Sequence, residues 1–243
     1  MALDTMLLEK AEKSAPVLRL YGFKPACMTI GLSQKLSDES RENILKRGFD
    51  IVRRPSGGRA VLHYKDLTYS FVGAETGVGD FGFLERGVSA AYKQICCGLQ
   101  QAFSILGVNA ELGSAEAAYR HLADCFLATT NADLHHKGKK LAGSAQLRRR
   151  GAVLQHGSIP LNLEQGLVAE LLGGQENKNG NLERHANLFE LLGKTLSFEE
   201  LNQAMKAGFE SAYDVELDTI ELSREEIQVA NELKEKYLVT STW

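Results

Sequence analysis

The sequence has few of the features that mark membrane, secreted or nucleic-acid-binding proteins. Its 243 residues contain only four cysteines and four prolines, and the formal net charge is -3. No apolar run approaches the roughly 18 residues needed to span a bilayer. The first residues, MALDTMLLEKAEK, alternate charged and apolar side chains, so we expect neither a signal peptide nor a membrane anchor. The charge excludes a strongly basic nucleic-acid-binding protein.

The four cysteines also restrict the class of protein. They lack the paired spacing of a metal site and are too few for a disulfide framework. We therefore predict a cytoplasmic protein whose thiols are buried or reactive. Hydrophobic residues at 44% and charged residues at 24% are ordinary for a globular protein with a sizeable core.

The hydrophobic pattern predicts an α+β domain with a mixed or antiparallel β-sheet flanked by helices. Runs of strands are followed by helices without regular alternation of the two. Two capping boxes, Ser197 with Glu200 and Ser223 with Glu226, mark late helix starts. The predicted helices include residues 3–15, 37–47 and 88–106, and the predicted strands are residues 17–22, 28–32, 51–54, 59–62, 67–72, 133–136, 140–147 and 152–159.

The first candidate site is the segment RRPSGGRAVLH, residues 53–63. Gly57 and Gly58 can adopt positive φ and let a ligand approach backbone N–H groups closely. The flanking arginines could donate charge-assisted hydrogen bonds to a phosphate, a carboxylate or a thioester oxygen. Neither common nucleotide-loop pattern is present. A plain surface hairpin with a structural His63 is the alternative interpretation.

The second candidate is CFLATTNADLHHKGKKLAGSAQ, residues 125–146. A lysine held near the Cys125 thiol would favour the nucleophilic thiolate. The small residues that follow Lys140 leave space on a strand where another group must fit. Alternatively, Cys125 is a buried apolar residue and the lysines form a solvated turn. The remaining cysteines, Cys27 and the Cys96–Cys97 pair, fit a strand and a core-facing helix.

The third candidate is the segment QHGS, residues 155–158, in which His156 could act as a general base or as a hydrogen-bonded support. The pair His135–His136 does not form a metal site, since adjacent strand residues point to opposite faces. The sequence therefore predicts no metal centre.

Three ordered motifs resemble the lipoate–protein ligase and octanoyltransferase family, which has the biotin/lipoate ligase fold. They are RRPSGGRAVLHYKDLTYSF, KGKKLAGSAQ and GAVLQHGSIPL, and the similarity extends over nearly the whole chain. The resemblance implies a catalytic domain over residues 8–215. Residues 216–243 are then expected to form a helical extension packed on the same domain.

The resemblance also implies a chemistry. Thiol-dependent members of this family move octanoate from acyl carrier protein to a cysteine, and then to a lysine of a lipoyl domain. In one branch that cysteine lies just upstream of the lysine-containing strand, the place of Cys125 here. The expected partners are octanoyl-acyl carrier protein and lipoyl-domain proteins, such as the H protein and the acyltransferase subunits of 2-oxoacid dehydrogenases. No cofactor, nucleic acid or membrane is expected to take part.

Three alternatives stay open at the level of sequence. They are an amidotransferase between lipoyl domains, an ATP-dependent lipoate–protein ligase, and a non-catalytic module that binds a carrier domain. The predicted catalytic residues are Cys125 and Lys140. The predicted substrate-binding residues are Arg54, Ser56, Gly57, Gly58, Arg59, Ala60, Val61, Leu62, His63, Gly143, Ser144, Ala145, His156, Gly157 and Ser158.

Overall fold

A computed structural model describes residues 1–113, 133–162, 165–173 and 185–239. The predicted nucleophile Cys125 lies outside these ranges. The strands are β1 (Val17–Tyr21), β2 (Cys27–Ile30), β3 (Asp50–Arg53), β4 (Val61–His63), β5 (Asp66–Glu75), β6 (Gly82–Leu84), β7 (Glu111–Leu112), β8 (Leu134–His136), β9 (Lys139–Arg149) and β10 (Ala152–Pro160). The α-helices are α1 (Ala2–Lys10), α2 (Asp38–Lys46), α3 (Val88–Ile105), α4 (Gln165–Leu171), α5 (Leu188–Leu192), α6 (Phe198–Tyr213) and α7 (Arg224–Lys234).

The described strands form two sheets. The large sheet has seven strands, in the order β1-β5-β10-β9-β8-β7, with β6 pairing with β5. The small sheet has three, in the order β3-β2-β4. Most pairs are antiparallel, while β2 with β3 and β5 with β6 are parallel. The predicted α+β class with a mixed sheet and flanking helices is confirmed.

Strand β10 is buried on both faces because each face packs against a different layer. Val153 and Ile159 point into the main core, which includes residues of α3 and α6. Ala152 and Leu154, on the opposite face, pack with leucines of α1. This alternation follows the two-residue period of a strand. It places His156 on the same face as Leu154, toward α1.

The small sheet explains the path of residues 53–63. Strand β2 lies between β3 and β4, pairing in parallel with the first and antiparallel with the second. The chain therefore crosses over β2 at residues 54–60, a segment that we call the glycine turn. The alternative of a surface hairpin is wrong, because β3 and β4 are not neighbours.

The C-terminal part of the described chain packs on the N-terminal helix. Helix α7 contacts α1, and Lys10 forms an ion pair with Glu226 at 2.9 Å. Beyond α7, the backbone of Val239 donates a hydrogen bond to the Ile51 carbonyl in β3. Both predicted capping boxes are confirmed, at the starts of α6 and α7. Within the described ranges, every helix is too short or too polar to span a bilayer.

Candidate active site

A cleft opens between the glycine turn and the middle of the large sheet. It encloses about 500 Å³ including its open mouth. Most of the predicted site residues that the structure describes line it, namely Arg54, Gly58, Val61, His63, Lys140, Gly143, Ser144, Ala145, His156, Gly157 and Ser158. The predicted residues Ser56, Gly57, Arg59, Ala60 and Leu62 do not line it. Ala60 and Leu62 belong instead to the core beneath the small sheet.

Strand register brings the second and third motifs together. His156 of β10 is opposite Ala145 of β9, and Ser158 is opposite Gly143. Directly opposite residues of paired strands share a face, as do residues two apart along a strand. All four therefore lie on the face of the large sheet that meets the glycine turn. Gly143 and Ala145 leave space there that larger side chains would fill.

The arginines of the glycine-turn region bind the chain itself. Arg53 donates hydrogen bonds to three main-chain carbonyls, those of Gly31, Leu32 and Gln34. Arg54 is buried and donates to the carbonyls of Gly57 and Arg59, as well as to Thr29. These bonds hold the turn in place.

A buried histidine extends the Arg54 network into the sheet. His63 contacts Thr29 Oγ1 at 3.0 Å through Nε2 and Asp66 at 2.8 Å through Nδ1. Asp66 also accepts hydrogen bonds from Thr68 and Ser158. Burial raises the pKa of Asp66, but His63 and these hydroxyls outweigh that effect and lower the pKa below its usual value. His63 thus lines the cleft as part of a fixed network.

A second histidine network reaches the turn from the large sheet. His156 Nε2 lies 2.6 Å from Ser56 Oγ, and both residues are buried. On the other side of the ring, Nδ1 lies 3.9 Å from the Asp4 carboxylate. Burial lowers the pKa of His156 more than Asp4 raises it, so the imidazole is neutral near pH 7. The Asp4 charge favours the tautomer that carries its hydrogen on Nδ1, and in that tautomer Nε2 accepts a hydrogen bond from the Ser56 hydroxyl.

Lys140 lies at the start of β9 with its side chain only 2% exposed. Its Nζ is 3.0 Å from the Asp133 carboxylate, which is equally buried, and both residues line the cleft. The alternative of a solvated lysine turn is wrong for Lys140. It lies within a strand that β8 flanks, and its carbonyl accepts a hydrogen bond from the Ala186 backbone.

Ser144 points to the opposite face of the sheet from Gly143 and Ala145, where other side chains contact it. Tyr69, Gly157 and Ser144 lie in one row across β5, β10 and β9. The Tyr69 hydroxyl contacts Ser144 Oγ at 2.6 Å and accepts a hydrogen bond from Gln155 at 3.1 Å. A Cβ at Gly157 would lie 2.6 Å from the Tyr69 ring and 2.7 Å from Ser144 Oγ. The glycine therefore provides the space in which these two side chains meet.

The three cysteines that the structure describes do not line the cleft. Cys27 in β2 and Cys96 in α3 are buried. Burial raises the pKa of both thiols, that of Cys96 to about 12. The expectation that the Cys96–Cys97 pair faces the core is right for Cys96 only, because Cys97 is exposed.

The cleft is also lined by four residues that were not among the predicted site residues, namely Met1, Thr29, Thr68 and Asp133. Thr29 and Thr68 lie inside ordinary strand patterns, and only the pairing of strands brings them to His63. Asp133 has one sequence signal, a carboxylate seven residues before a lysine in a predicted hairpin. That spacing does not reveal which side chains meet.

Comparison with known proteins agrees with this geometry. A family model described as the lipoyl protein ligase A/B catalytic domain matches residues 1–210. The chain belongs to this family. It is 34% identical to octanoyltransferase LipM of Bacillus subtilis, with 100% of this chain and 92% of that protein covered. It is 38% identical to octanoyltransferase LipM of Kyrpidia tusciae, with 98% and 91% covered.

Solved structures of this family share the fold. A lipoate-protein ligase A bound with ATP superposes with a TM-score of 0.79 and 22% identity, over 100% of this chain and 91% of that one. A bipartite archaeal lipoate protein ligase from Thermoplasma acidophilum, described with its E2 lipoyl domain, superposes with a TM-score of 0.76 and 22% identity. It covers 97% of this chain and 86% of that one. At this identity the likeness supports the lipoate ligase fold rather than a particular reaction.

Proposed function

We propose that this protein is an octanoyltransferase of protein lipoylation, which moves an octanoyl group to a lysine of a lipoyl-domain protein. The observation that carries the proposal is the buried Lys140, which lines a cleft between the glycine turn and the small-residue face of β9 and β10. The similarity to curated octanoyltransferases over the whole chain supports the same reaction. The donor in this proposal is octanoyl-acyl carrier protein.

The reaction proceeds in two transfers through Cys125. In the first, the Cys125 thiolate attacks the donor thioester. A carbon–sulfur bond to Cys125 forms, the bond to the carrier thiol breaks, and that thiol leaves and takes a proton. In the second, the neutral amine of a lipoyl-domain lysine attacks the acyl-enzyme. An amide forms, the bond to Cys125 breaks, and the amine proton goes to the departing thiolate. This sequence predicts ping-pong kinetics.

Cys125 is the nucleophile in this proposal for two reasons. The sequence places it upstream of the Lys140 strand, as in the cysteine-dependent branch that the motifs resemble. The three described cysteines lie away from the cleft, and two of them are buried thiols whose pKa burial raises. A buried apolar thiol is a poor nucleophile, because the thiolate is the reactive form.

Lys140 provides positive charge at the reacting carbonyl. A fixed cation or hydrogen-bond donor aimed at a developing oxyanion contributes about 3–4 kcal/mol to such reactions. Backbone N–H groups near Gly57–Gly58 or at residues 143–145 are the further candidates for that role. Asp133 balances the lysine charge in the resting protein and keeps its ammonium group at the wall of the cleft.

The test is intact-mass analysis after mixing the protein with octanoyl-acyl carrier protein. We expect a single octanoyl adduct that hydroxylamine removes and that disappears in Cys125→Ala. Cys97→Ala, which removes an exposed thiol outside the cleft, is the matched control and keeps the adduct. Octanoyl transfer by Cys125→Ala at the wild-type rate would contradict the cysteine mechanism.

The same assay separates the alternatives. An adduct formed from an octanoylated lipoyl domain, but not from the carrier protein, would identify an amidotransferase. Adenylate formation from free lipoate and ATP in Cys125→Ala would identify a ligase. Tight carrier binding without any adduct would identify a binding module.

A further inference from the structure

A buried hydrogen bond between side chains connects the glycine turn to the large sheet. Ser56 Oγ, in the turn, lies 2.6 Å from His156 Nε2, in β10. The two residues are 100 positions apart in the chain, and each is at most 3% exposed. A buried hydroxyl bonded to a buried imidazole fixes the distance between the elements that carry them, because leaving either group unsatisfied is costly.

A buried carboxylate lies on the side of the His156 ring that faces away from Ser56. Asp4 of α1 lies 3.9 Å from His156 Nδ1 and also accepts a hydrogen bond from Ser70 of β5 at 2.8 Å. Arg19 of β1 forms an ion pair with the same carboxylate. Burial raises the pKa of Asp4, but His156 and the nearby positive charges outweigh this and keep it well below the usual value. Asp4 is thus a fixed anion beside the ring, although at 3.9 Å its carboxylate is too far from Nδ1 for a hydrogen bond.

On its other side the turn fits closely against the small sheet. The Ser56 carbonyl accepts a hydrogen bond from the Leu32 backbone at 2.9 Å. A Cβ at Gly31 would lie 2.1 Å from the Gly58 carbonyl oxygen, so only glycine allows this approach. Gly58 itself has a φ of 94° and faces Ala145 of β9 across the cleft. Moving Ser56 would therefore move the part of the turn that faces the reacting strand.

We propose that His156 is a positioning residue, which acts through Ser56 to hold the glycine turn at a fixed distance from β9. This inference rests on the proposed octanoyl transfer, where the turn and β9 form opposite walls of the acyl site. The order Asp4, His156, Ser56 is also that of a hydrolase triad. Ser56 does not line the cleft, however, and its hydroxyl serves as a structural donor rather than a nucleophile.

The experiment compares Ser56→Ala with Ser40→Ala. Ser40 is a similarly buried serine in α2 that donates a hydrogen bond to the Leu172 carbonyl, away from the cleft. Both variants lose one buried hydroxyl and should unfold at similarly lowered temperatures. We expect Ser56→Ala to lower kcat for octanoyl transfer about 10- to 100-fold with a KM within about twofold, in line with the cost of misplacing a reacting group. Ser40→Ala should keep the wild-type kcat, and Ser56→Thr, which keeps the hydroxyl, should recover most of it.

Amide hydrogen exchange of residues 54–60 gives a readout that needs no activity. Exchange in the turn should be faster in Ser56→Ala and in His156→Phe, and unchanged in Ser40→Ala. Equal kcat values for Ser56→Ala and Ser40→Ala, or unchanged exchange in the turn, would overturn the inference. So would labelling of Ser56 by a fluorophosphonate, which would make it a nucleophile. If the wild-type protein transfers no octanoyl group, the proposed function fails, while faster exchange in the turn would still support the positioning role.

Discussion

The two walls of the cleft use their cations in different ways. On the glycine-turn side, the guanidinium groups of Arg53 and Arg54 donate to main-chain carbonyls of their own neighbourhood. On the β9 side, the Lys140 ammonium group lies 3.0 Å from the Asp133 carboxylate, and both residues line the cleft. The two arginines therefore use their charge to fix a backbone, whereas in the proposed reaction Lys140 acts on the bound acyl group.

This difference follows from the chemistry of the arginine and lysine side chains. A guanidinium has five N–H donors in a planar fork, which suits the bridging of several carbonyls at once. An ammonium group is a compact point charge on a flexible stem, better suited to stabilise a developing oxyanion. The arginine-rich motif therefore forms the frame of the site, and Lys140 is the cation that we propose takes part in the chemistry.

The largest effect should come from Lys140→Met. Loss of the cation should lower octanoyl transfer by about 10²- to 10³-fold, the range seen when one oxyanion donor is removed. It also removes the ammonium group that lies 3.0 Å from the buried Asp133 carboxylate, and breaking such a buried pair should lower the free energy of unfolding by about 3–5 kcal/mol. Transfer kinetics and denaturant unfolding measure the two effects separately.

Two further variants sharpen this result. The double variant Lys140→Met with Asp133→Asn removes both buried charges, so most of the stability should return while transfer stays low. Lys139→Met removes the exposed neighbour in the same strand and should leave transfer unchanged. Recovery of transfer in the double variant would mean that the lysine only supports the fold, and the contrast between the two walls would be lost.

A smaller effect is expected on the turn side from Gly31→Ala. The added methyl would lie 2.1 Å from the Gly58 carbonyl oxygen, a backbone atom that can move only with the turn. Such overpacking costs about 1–3 kcal/mol. We expect a lower unfolding temperature together with slower transfer. Gly22→Ala is the matched control, since nothing lies within 4 Å of its added methyl. A lowered unfolding temperature with unchanged transfer in Gly31→Ala would show that the turn position does not matter for the reaction.

Periodicity and capping patterns were enough to predict most of the fold. The strand at residues 152–159 and the helix at 88–106 appear as β10 and α3 with only small shifts at their ends. The prediction ended β5 at residue 72, whereas the strand continues to Glu75 because β10 pairs with it as far as Ala74. Pairing between distant strands is decided by tertiary packing, which a local pattern does not contain.

The site was predictable in its parts but not in its contacts. The three motifs gave most of the residues that line the cleft. What the sequence could not give is that β2 separates β3 from β4, so that Thr29 rather than a hairpin partner contacts both Arg54 and His63. Nor could it link Asp4 to His156, since they meet only when α1 packs on β10. These buried polar links depend on the packing of whole layers.

The smallest expected effect is a pH dependence of stability that comes from the histidine behind the turn. Burial lowers the pKa of His156 below its ordinary value of 6.5, and Arg54 acts in the same direction, while Asp4 opposes it. Below about pH 6.5, His156 therefore binds a proton in the unfolded chain but stays neutral in the folded protein until its lower pKa is reached. Stability is fully present above that pH and is lost as the pH falls, by up to about 1.4 kcal/mol per pH unit for one group.

Replacing His156 with glutamine should flatten this part of the profile. Thermal unfolding of wild type and His156→Gln between pH 8 and about pH 5.5 is the measurement, since the lowered pKa of Asp4 puts its own contribution at more acidic pH. Ser56→Ala keeps the imidazole and its burial, and should keep the slope of the wild type. If His156→Gln and the wild type lose stability in parallel, His156 has the same pKa in the folded and unfolded states, and its burial beside Ser56 does not disfavour the imidazolium.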